Sequence, residues 1–335
     1  MPPYDGPSVD VIVPLRNEAH TIPAFLAMLR AQTLPPRTVI VADGMSEDAS
    51  RTLLRAAQER MPELRLRIID NPERIVPAAL NACLREVGSA VVARMDTHAE
   101  YDPEYLATVV QCLAERPDVA GVGGAMSTRG RGVWGQAIAS TLRRPWGLGG
   151  ARHRVGGASG PIPHVFSGCY RTEALRSIGG WDERFHANED FEADTRLREA
   201  GHQLWLEPRA RSTWFVRESP SKLAVQMWRY GYFKALTLRL HPDALQVRQL
   251  APPALVVVLV AGSLVDRPRT VGVAGIYLSL TAVLGARASA QDGSSMIRGA
   301  VVPAIVHLSW GSGLLAGLFT FWRPARAGHR ESRTR

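Results

Sequence analysis

The chain has 335 residues, of which 46% are hydrophobic and 21% charged, and it contains 30 glycines and 23 prolines. This length suits two domains, and the composition excludes a disordered tail protein, a collagen and a disulfide-stabilised miniprotein. The net charge of +9 favours an anionic partner, whether a nucleic acid, an acidic lipid or a phosphorylated ligand.

The first residues and the cysteines indicate a compartment. The opening MPPYDGPSVD carries two acids and no apolar run, so no secretory signal is predicted and we expect the chain to begin in the cytosol. Cys83, Cys112 and Cys169 lie far apart, with no CxxC pair. They predict neither a disulfide framework nor a zinc site, which agrees with a reducing environment.

Short apolar runs then alternate with helical stretches. Strands are predicted at 9–14, 38–42, 66–69 and 90–95, and helices at 17–30, 49–60 and 75–87. This alternation predicts an α/β domain with a mostly parallel sheet and right-handed crossovers, which binds its ligands at the carboxyl ends of the strands. The candidate ligand-binding residues therefore lie in 14–18, 43–48 and 96–98.

Polar side chains of suitable chemistry occupy these positions. Asp43 ends a strand and can accept hydrogen bonds from a base or a ribose, whereas Asp48 is expected to cap the following helix. Asp96 and His98 are two residues apart, so in extended geometry they point the same way and can face one divalent ion.

A second set of carboxylates lies between residues 166 and 208. Glu189 and Asp190 directly precede a helix predicted over 191–200, which Gly201 ends. Acids at this position either complement the helix dipole or contribute to a site, and the pair alone does not distinguish the two.

The chain changes character near residue 250. Three runs, 250–265, 271–286 and 300–321, carry no charge, and the third is long enough to span about 30 Å of hydrocarbon. The first two are short, so they are predicted to be tightly packed spans, a re-entrant hairpin or interfacial helices. The basic tail 323–335 should stay in the cytosol, whereas three full spans would place it outside. We therefore expect that one of the three segments does not cross.

A basic and aromatic stretch, 222–240, precedes the apolar runs. It is typical of a helix at the level of the lipid headgroups, although a domain-surface helix remains an alternative. The predicted organisation is a cytosolic α/β domain over 1–218, an amphipathic interfacial segment over 219–249, hydrophobic membrane helices over 250–322 and a basic tail over 323–335.

Taken together, the motifs resemble glycosyltransferase family 2. The family's VPxxNE strand end, Gln-Thr pair and DDGSxD turn correspond to VPLRNE, Gln32-Thr33 and residues 43–48. ARMDTHAEYDPEYL resembles its DxD segment with His98 at the second acid, and GGWDERFHANEDFEADTRLREAG resembles its acceptor-side segment. RxDxH in place of DxD, the DGMS turn and the hydrophobic C-terminus resemble the succinoglycan-type exopolysaccharide transferases.

The resemblance implies a GT-A fold followed by C-terminal membrane helices. It implies a nucleoside-diphosphate sugar donor, usually UDP-linked, and Mn²⁺ or Mg²⁺. Pro14, Arg16 and Glu18 would border the nucleotide, and Asp43 would hold the uracil or ribose. Asp96 and His98 would face the ribose and the metal–diphosphate. Asp190 would be the general base, with Glu189 as a neighbouring acid on the acceptor side.

The implied enzyme is an inverting hexosyltransferase of exopolysaccharide or cell-envelope glycan synthesis. A cytosolic site beside lipid-docked helices suggests a lipid-linked saccharide as acceptor. Basic residues can assist departure of the diphosphate, and the candidates are Arg143, Arg144, Arg152 and Arg154. The alternatives are a processive polysaccharide synthase and an inactive membrane scaffold. A nucleic-acid partner is not expected, because no GxGxxG follows the first strand and no zinc or RNP pattern occurs.

Overall fold

The computed structural model describes residues 7–148, 152–155 and 157–322, so the predicted basic tail 323–335 lies outside the described residues. The strands are β1 (Val9–Leu15), β2 (Thr38–Asp43), β3 (Leu66–Asp70), β4 (Val91–Arg94), β5 (Ala99–Tyr101), β6 (Val119–Arg129), β7 (Gly160–Pro161), β8 (Cys169–Arg171) and β9 (Gln203–Phe215). The helices of the α/β domain are α1 (Ile22–Arg30), α2 (Ser50–Arg60), α3 (Val76–Glu86), α4 (Tyr105–Glu115), α5 (Gly132–Leu142), α6 (Pro145–Leu148), α7 (Arg152–Val155), α8 (Thr172–Ser177) and α9 (Glu189–Glu199).

All of these strands belong to one mixed sheet in the order β3-β2-β1-β4-β8-β6-β9-β5, with β7 paired to β9. The four strands predicted from the sequence, β1 to β4, are parallel as expected. Beyond them β8 runs antiparallel to both β4 and β6, and β5 and β7 run antiparallel to β9. The sheet is therefore less parallel than predicted, because the chain after β6 doubles back between β4 and β6.

Helices cover both faces of the sheet. Val11 and Val13 of β1 face a core built with α1, α2 and α4, whereas Ile12 between them faces a second core built with α3, α8 and α9. Strands buried on both faces explain the uninterrupted apolar runs in the sequence. Because both faces are covered, the carboxyl ends of the strands are the part of the sheet that is open to a ligand.

Two helix boundaries differ from the predictions. Helix α1 begins at Ile22 and not at residue 17, because Asn17 adopts a positive φ of 54° and the chain turns before the helix starts. Helix α9 begins at Glu189, so Glu189 and Asp190 form its first turn and do not precede it. The end of α9 is as predicted, since Gly201 follows it with a φ of +87°.

Four long helices complete the chain: α10 (Pro220–Leu240), α11 (Ala251–Val265), α12 (Arg267–Gln291) and α13 (Met296–Phe321). Three helical segments of the described chain are long and apolar enough to cross a membrane, namely Val247–Val265, Arg267–Gln291 and Met296–Phe321. The two segments predicted to be short reach 19 and 25 residues, because a 3-10 turn at Val247–Leu250 extends α11 and because α12 continues beyond its charge-free run at both ends. Short 3-10 turns at Pro242–Ala244 and Val247–Leu250 join α10 to α11.

Candidate active site

The loops after β1 and β2 form one bonded unit at the carboxyl edge of the sheet. Leu15 and Asp43, which end these strands, are partners in the parallel ladder. Asn17 N donates to Ser46 Oγ at 2.9 Å, and Glu47 N donates to Asn17 Oδ1 at 2.8 Å. The positive φ of Asn17 presents both groups to the neighbouring loop. The predicted nucleotide-side residues therefore lie on a braced surface.

Asp43 forms the base of this surface and is fully buried. Its Oδ1 accepts a hydrogen bond from Ser46 N at 3.1 Å, and its Oδ2 lies 3.3 Å from Arg51 Nη1. Arg51 also pairs with Asp70 Oδ1 at 2.6 Å. Asp43 thus shapes the turn over 43–50 and anchors Arg51, a residue that the sequence analysis did not single out.

The other predicted nucleotide-side residues surround this turn. Pro14 pairs with Ala42 in the sheet, and the partly exposed Arg16 lies 3.9 Å from Glu47. Asp48 was expected to cap α2, but the N-cap residue is Ala49. The Asp48 carboxylate instead accepts hydrogen bonds from Ser50 N, in the first residue of α2, at 2.9 Å and from Ala19 N at 3.1 Å.

The centre of the site is the buried guanidinium of Arg94, at the end of β4. Its Nε donates to Asp96 Oδ1 at 3.0 Å, and its Nη1 donates to Glu189 Oε1 at 3.0 Å and to Asp190 Oδ1 at 2.6 Å. Trp181 Nε1 donates to the same Asp190 oxygen at 3.2 Å. Three predicted site carboxylates therefore converge on one cation, with a formal charge of −2 when all four groups are ionised.

The surroundings shift the pKa values of these three carboxylates in different directions. Burial raises the pKa of Asp190 against the lowering effect of Arg94, and burial together with the charge of Asp190 raises the pKa of Glu189. Burial acts the same way on Asp96, but the charges of Arg94 and His98 outweigh it and hold the pKa of Asp96 below its usual range. Asp96 is therefore the stable anion of the cluster, and Asp190 and Glu189 hold protons more readily.

Asp96 and His98 share a cavity wall, although not in the extended geometry predicted for them. β4 ends at Arg94, and Ala99 N donates to Asp96 O at 3.1 Å, which closes a turn. His98 Nδ1 lies 3.9 Å from Glu18 Oε1, so the turn also reaches the nucleotide-side loop. A carboxylate and an imidazole on one wall fit a divalent ion whose remaining ligands are phosphate oxygens and water. Among the described residues, no group of three or more His, Cys, Asp or Glu side chains could hold a metal ion without such help.

A cavity of about 910 Å³ joins this cluster to α10 and to Trp310 of α13. The carboxylates Asp96, Glu189 and Asp190 line this cavity together with a set of basic side chains, here called the basic wall: Arg152, Arg154, Arg217, Lys222, Arg229, Lys234 and Arg248. The buried Nη1 of Arg154 has no hydrogen-bond partner within the part of the chain that the structure describes. The basic wall can therefore bind an anion that the protein itself does not supply.

Lys234, a residue of α10, is one of the side chains of the basic wall. Its side chain is buried, donates to Ala244 O at 2.9 Å and lies 4.2 Å from the centre of the Phe191 ring. Burial, with a contribution from Arg198, lowers the pKa of Lys234 to about 8. Its charge is therefore sensitive to pH in the physiological range.

The predicted diphosphate-assisting arginines divide into two pairs. Arg152 and Arg154 line the cavity. Arg143 and Arg144 pair with Asp292 at 2.9 and 3.3 Å, at the turn between α12 and α13. From the sequence alone, Arg94 had only its place in the RxDxH motif, and the basic residues of α10 were expected at the lipid headgroups and not in the site, because their partners are distant in the chain. The position of Arg94 two residues before Asp96 was the one available signal.

A family model described as glycosyl transferase family 2 matches residues 10–179, which include β1 to β4 and the Asp96 turn. The succinoglycan biosynthesis protein ExoA of Rhizobium meliloti (strain 1021) is 31% identical over 320 residues, covering 93% of this chain and 96% of the relative. A dolichyl N-acetyl-alpha-D-glucosaminyl phosphate 3-beta-D-2,3-diacetamido-2,3-dideoxy-beta-D-glucuronosyltransferase of Methanococcus voltae is 24% identical over 238 residues, covering 69% of this chain and 74% of the relative.

A solved structure shares the fold over most of the chain. The mannosyltransferase PcManGT from Pyrobaculum calidifontis, in complex with GDP-Man and Mn²⁺, superposes with a TM-score of 0.61 at 21% identity. The match covers 92% of this chain and 88% of that protein. The motifs, the sheet and the relatives agree, and the chain belongs to glycosyltransferase family 2, as a sugar-transferring enzyme with the GT-A fold.

Proposed function

We propose that the protein is an inverting glycosyltransferase that moves a hexose from a nucleoside-diphosphate sugar, UDP-linked by preference, to a lipid-linked saccharide. The observation that carries this proposal is the cavity between the Arg94 carboxylate cluster and the basic wall, which continues to Trp310 of α13. One cavity thus offers a base, a metal-binding wall and cationic groups beside the helices suited to lipid.

The donor is assigned to the carboxyl edge of the sheet. Its nucleoside would lie over the turn that Asp43 shapes, bordered by Pro14, Arg16 and Glu18. Its diphosphate would lie at the turn that carries Asp96 and His98, since this turn reaches Glu18 through the 3.9 Å contact of His98. The Mn²⁺-bound mannosyltransferase with the same fold supports a divalent ion here, and the imidazole of His98 favours Mn²⁺ over Mg²⁺.

A divalent ion bound by Asp96 and His98 would supply Lewis-acid stabilisation of the leaving diphosphate. The protein must then supply the base. Within the part of the chain that the structure describes, Asp190 accepts two hydrogen bonds, from Arg94 and from Trp181, and both go to Oδ1. We propose that Oδ2 accepts the proton of the acceptor hydroxyl. The oxygen of this hydroxyl attacks the sugar C1 as the bond between C1 and the diphosphate breaks. A single displacement inverts the anomeric centre, so an α-linked donor gives a β-linked product.

The acceptor is assigned to the basic wall. A lipid-linked saccharide carries a phosphate or diphosphate between sugar and lipid. Arg154 Nη1, which has no partner among the described residues, suits such a group together with Arg229 and Lys234. The printed name of the archaeal relative, a sugar transferase with a dolichyl phosphate substrate, supports this acceptor class. The succinoglycan relative supports a role in exopolysaccharide or cell-envelope glycan synthesis.

The proposed location is the inner membrane, with the catalytic domain over 1–218 on the cytoplasmic side. The five arginines of the basic tail support this orientation, because cytoplasmic segments beside membrane helices carry an excess of Lys and Arg. The segment 219–249 would set the height of the cavity above the lipid.

The proposal is tested by incubating membranes that contain the protein with labelled UDP- and GDP-sugars and Mn²⁺, followed by lipid extraction. We expect label from one donor to enter the lipid fraction as a β-linked sugar. A product of many added sugars would indicate a processive synthase. If no donor gave transfer and UDP did not bind, the result would contradict the proposal and indicate an inactive scaffold.

A further inference from the structure

The three apolar helices differ in how far protein covers them. In the most apolar 18-residue windows of the first, second and third span segments, 6%, 17% and 39% of the residues are buried. Between residues 254 and 280, which include most of α11 and the first half of α12, no residue is buried. α13 is therefore the helix that the protein itself covers.

The N-terminal half of α13 packs on the catalytic domain. Val302 and Val306 belong to one apolar cluster with Ile138 and Leu142 of α5 and Trp214 of β9. The turn before α13 is fixed by the ion pairs of Arg143 and Arg144 with Asp292. His307 Nε2 lies 3.3 Å from Trp146 O, near the middle of the helix.

The C-terminal half of α13 packs on α10. A Cβ at Gly231 would overlap the Trp310 carbonyl oxygen, and a Cβ at Gly313 would overlap the Trp228 carbonyl oxygen. Such close approach requires small residues at the contact. At the far end, Arg239 donates to Phe321 O, the last residue of α13.

α10 is in turn bonded to the catalytic domain at its middle and directly after its end. Asn188 Nδ2 donates to Tyr230 O at 2.9 Å, and Arg229 Nη2 donates to His186 O at 2.7 Å. His241, directly after α10, lies 2.8 Å from Glu199 Oε1. Charged and polar groups of this kind are costly at hydrocarbon depth. The layer that covers α13 therefore lies outside the hydrocarbon.

Helix α13 is longer than the hydrocarbon core of a bilayer is thick. At 1.5 Å per residue, Met296–Phe321 extends about 39 Å, more than the ~30 Å of a bilayer core. Polar contacts with the catalytic domain or with α10 occur at its start, near its middle and at its end. A crossing α13 would draw this polar surface into the lipid.

We propose that α13 does not cross the membrane. It lies along the catalytic domain as a platform for α11 and the first half of α12, which present their exposed apolar side chains to the lipid acyl chains. Leu264 and Ile276, exposed by 84% and 73%, are examples of this lipid-facing surface. Both ends of α13, and with them the basic tail, lie on the side of the catalytic domain. This topology refines the membrane attachment proposed above.

The test is cysteine labelling in sealed cells and in permeabilised membranes, with a membrane-impermeant maleimide. The three native cysteines are buried, so reporters are introduced one at a time: Glu59→Cys on the exposed surface of α2, Ser332→Cys in the tail and Ile276→Cys in α12. Labelling of each variant in detergent gives its full reactivity.

We expect Glu59→Cys and Ser332→Cys to react only after permeabilisation, and Ile276→Cys to react only in detergent. Reaction of Ser332→Cys in sealed cells, with Glu59→Cys protected, would overturn the proposal by showing that the number of crossings is odd. Ready reaction of Ile276→Cys in permeabilised membranes would overturn the assignment of lipid to α12. Labelling does not depend on sugar transfer, so failure of this topology is distinguishable from failure of the proposed reaction.

Discussion

Arg94 Nη1 donates a 2.6 Å hydrogen bond to Asp190 Oδ1, which joins the end of β4 to the first turn of α9 across 96 positions of the sequence. This bond links the donor side of the cavity to its acceptor side. The same guanidinium binds Asp96 and Glu189. One side chain therefore fixes the position of the proposed metal ligand relative to the proposed base.

Replacement of Arg94 tests this link. Arg94→Gln removes the cation that opposes the effect of burial on Asp190, so the pKa of Asp190 should rise further. Because the base must be deprotonated, activity is lost as pH falls through that pKa, and the acid limb of the pH–rate profile should move to higher pH. Loss of a buried ionic partner should also destabilise the fold by about 3–5 kcal/mol.

The matched control is Arg94→Lys, which keeps the charge at the same place. Its acid limb should stay near that of the wild type, even where its maximal rate is lower. Superimposable acid limbs in Arg94→Gln and wild type would show that Arg94 does not control the protonation of the base.

The charge of Lys234 should affect binding of the acceptor at alkaline pH. Its pKa of about 8 means that its positive charge is present below that pH and is lost above it. The KM for a lipid phosphate acceptor should therefore rise as pH increases beyond 8. Lys234→Met should raise this KM by about tenfold at pH 7, the scale of one charge-assisted hydrogen bond, and should leave the donor KM unchanged.

Lys234→Arg distinguishes charge from shape, since a guanidinium keeps its proton throughout this range. The rise in acceptor KM above pH 8 should disappear in this variant. A rise that persists there, or that affects the donor equally, would remove Lys234 from the acceptor site.

We expect His153 to make the folded protein less stable in acid. Burial, with the charges of His164 and Arg154, lowers its pKa to about 2, whereas the unfolded chain binds this proton near pH 6.5. Between these values the unfolded state carries the extra proton, so stability falls as pH decreases below 6.5. At pH 5 the contribution is about 2 kcal/mol. Unfolding midpoints of His153→Gln in detergent should fall less steeply with acid than those of the wild type, and equal slopes would refute the assignment.

Close packing of α10 on α13 predicts a pair of glycine variants. Gly313→Leu would force side-chain atoms against the Trp228 backbone, and should destabilise the protein by about 1–3 kcal/mol. Gly275→Leu in α12 is the control, because a Cβ there has nothing within 4 Å. Thermal unfolding in detergent should separate the two variants. Equal midpoints would indicate that α10 and α13 do not pack this closely.

The sequence predicted the parts of the fold that follow from periodicity. Strands β1 to β4 lie where the apolar patterning indicated, and α9 ends just before Gly201, as that glycine indicated. The ladder strands β7 and β8 were not predicted, because two and three residues are too few to show an alternation. Helix α10 was expected to face lipid headgroups from its composition, and the structure adds its packing between α13 and the catalytic domain.

The site could be predicted only in part. Asp96, His98, Glu189 and Asp190 line one cavity, as their places in the motifs implied. The role of Arg94 depends on partners that only the folded sheet brings near, so no local pattern contains it. The basic wall likewise combines Arg154 of α7 with Arg229 and Lys234 of α10, which are far apart in the chain.

The assignment of Asp190 as the base is the central claim, and Asp190→Asn tests it most directly. The measurement is the transfer rate to the lipid acceptor together with UDP-sugar binding, with Asp118→Asn on the exposed surface before β6 as control. We predict a loss of about 10²–10⁴-fold in the rate, the scale of general base catalysis, with donor binding retained. Transfer by Asp190→Asn at the rate of Asp118→Asn would contradict the account.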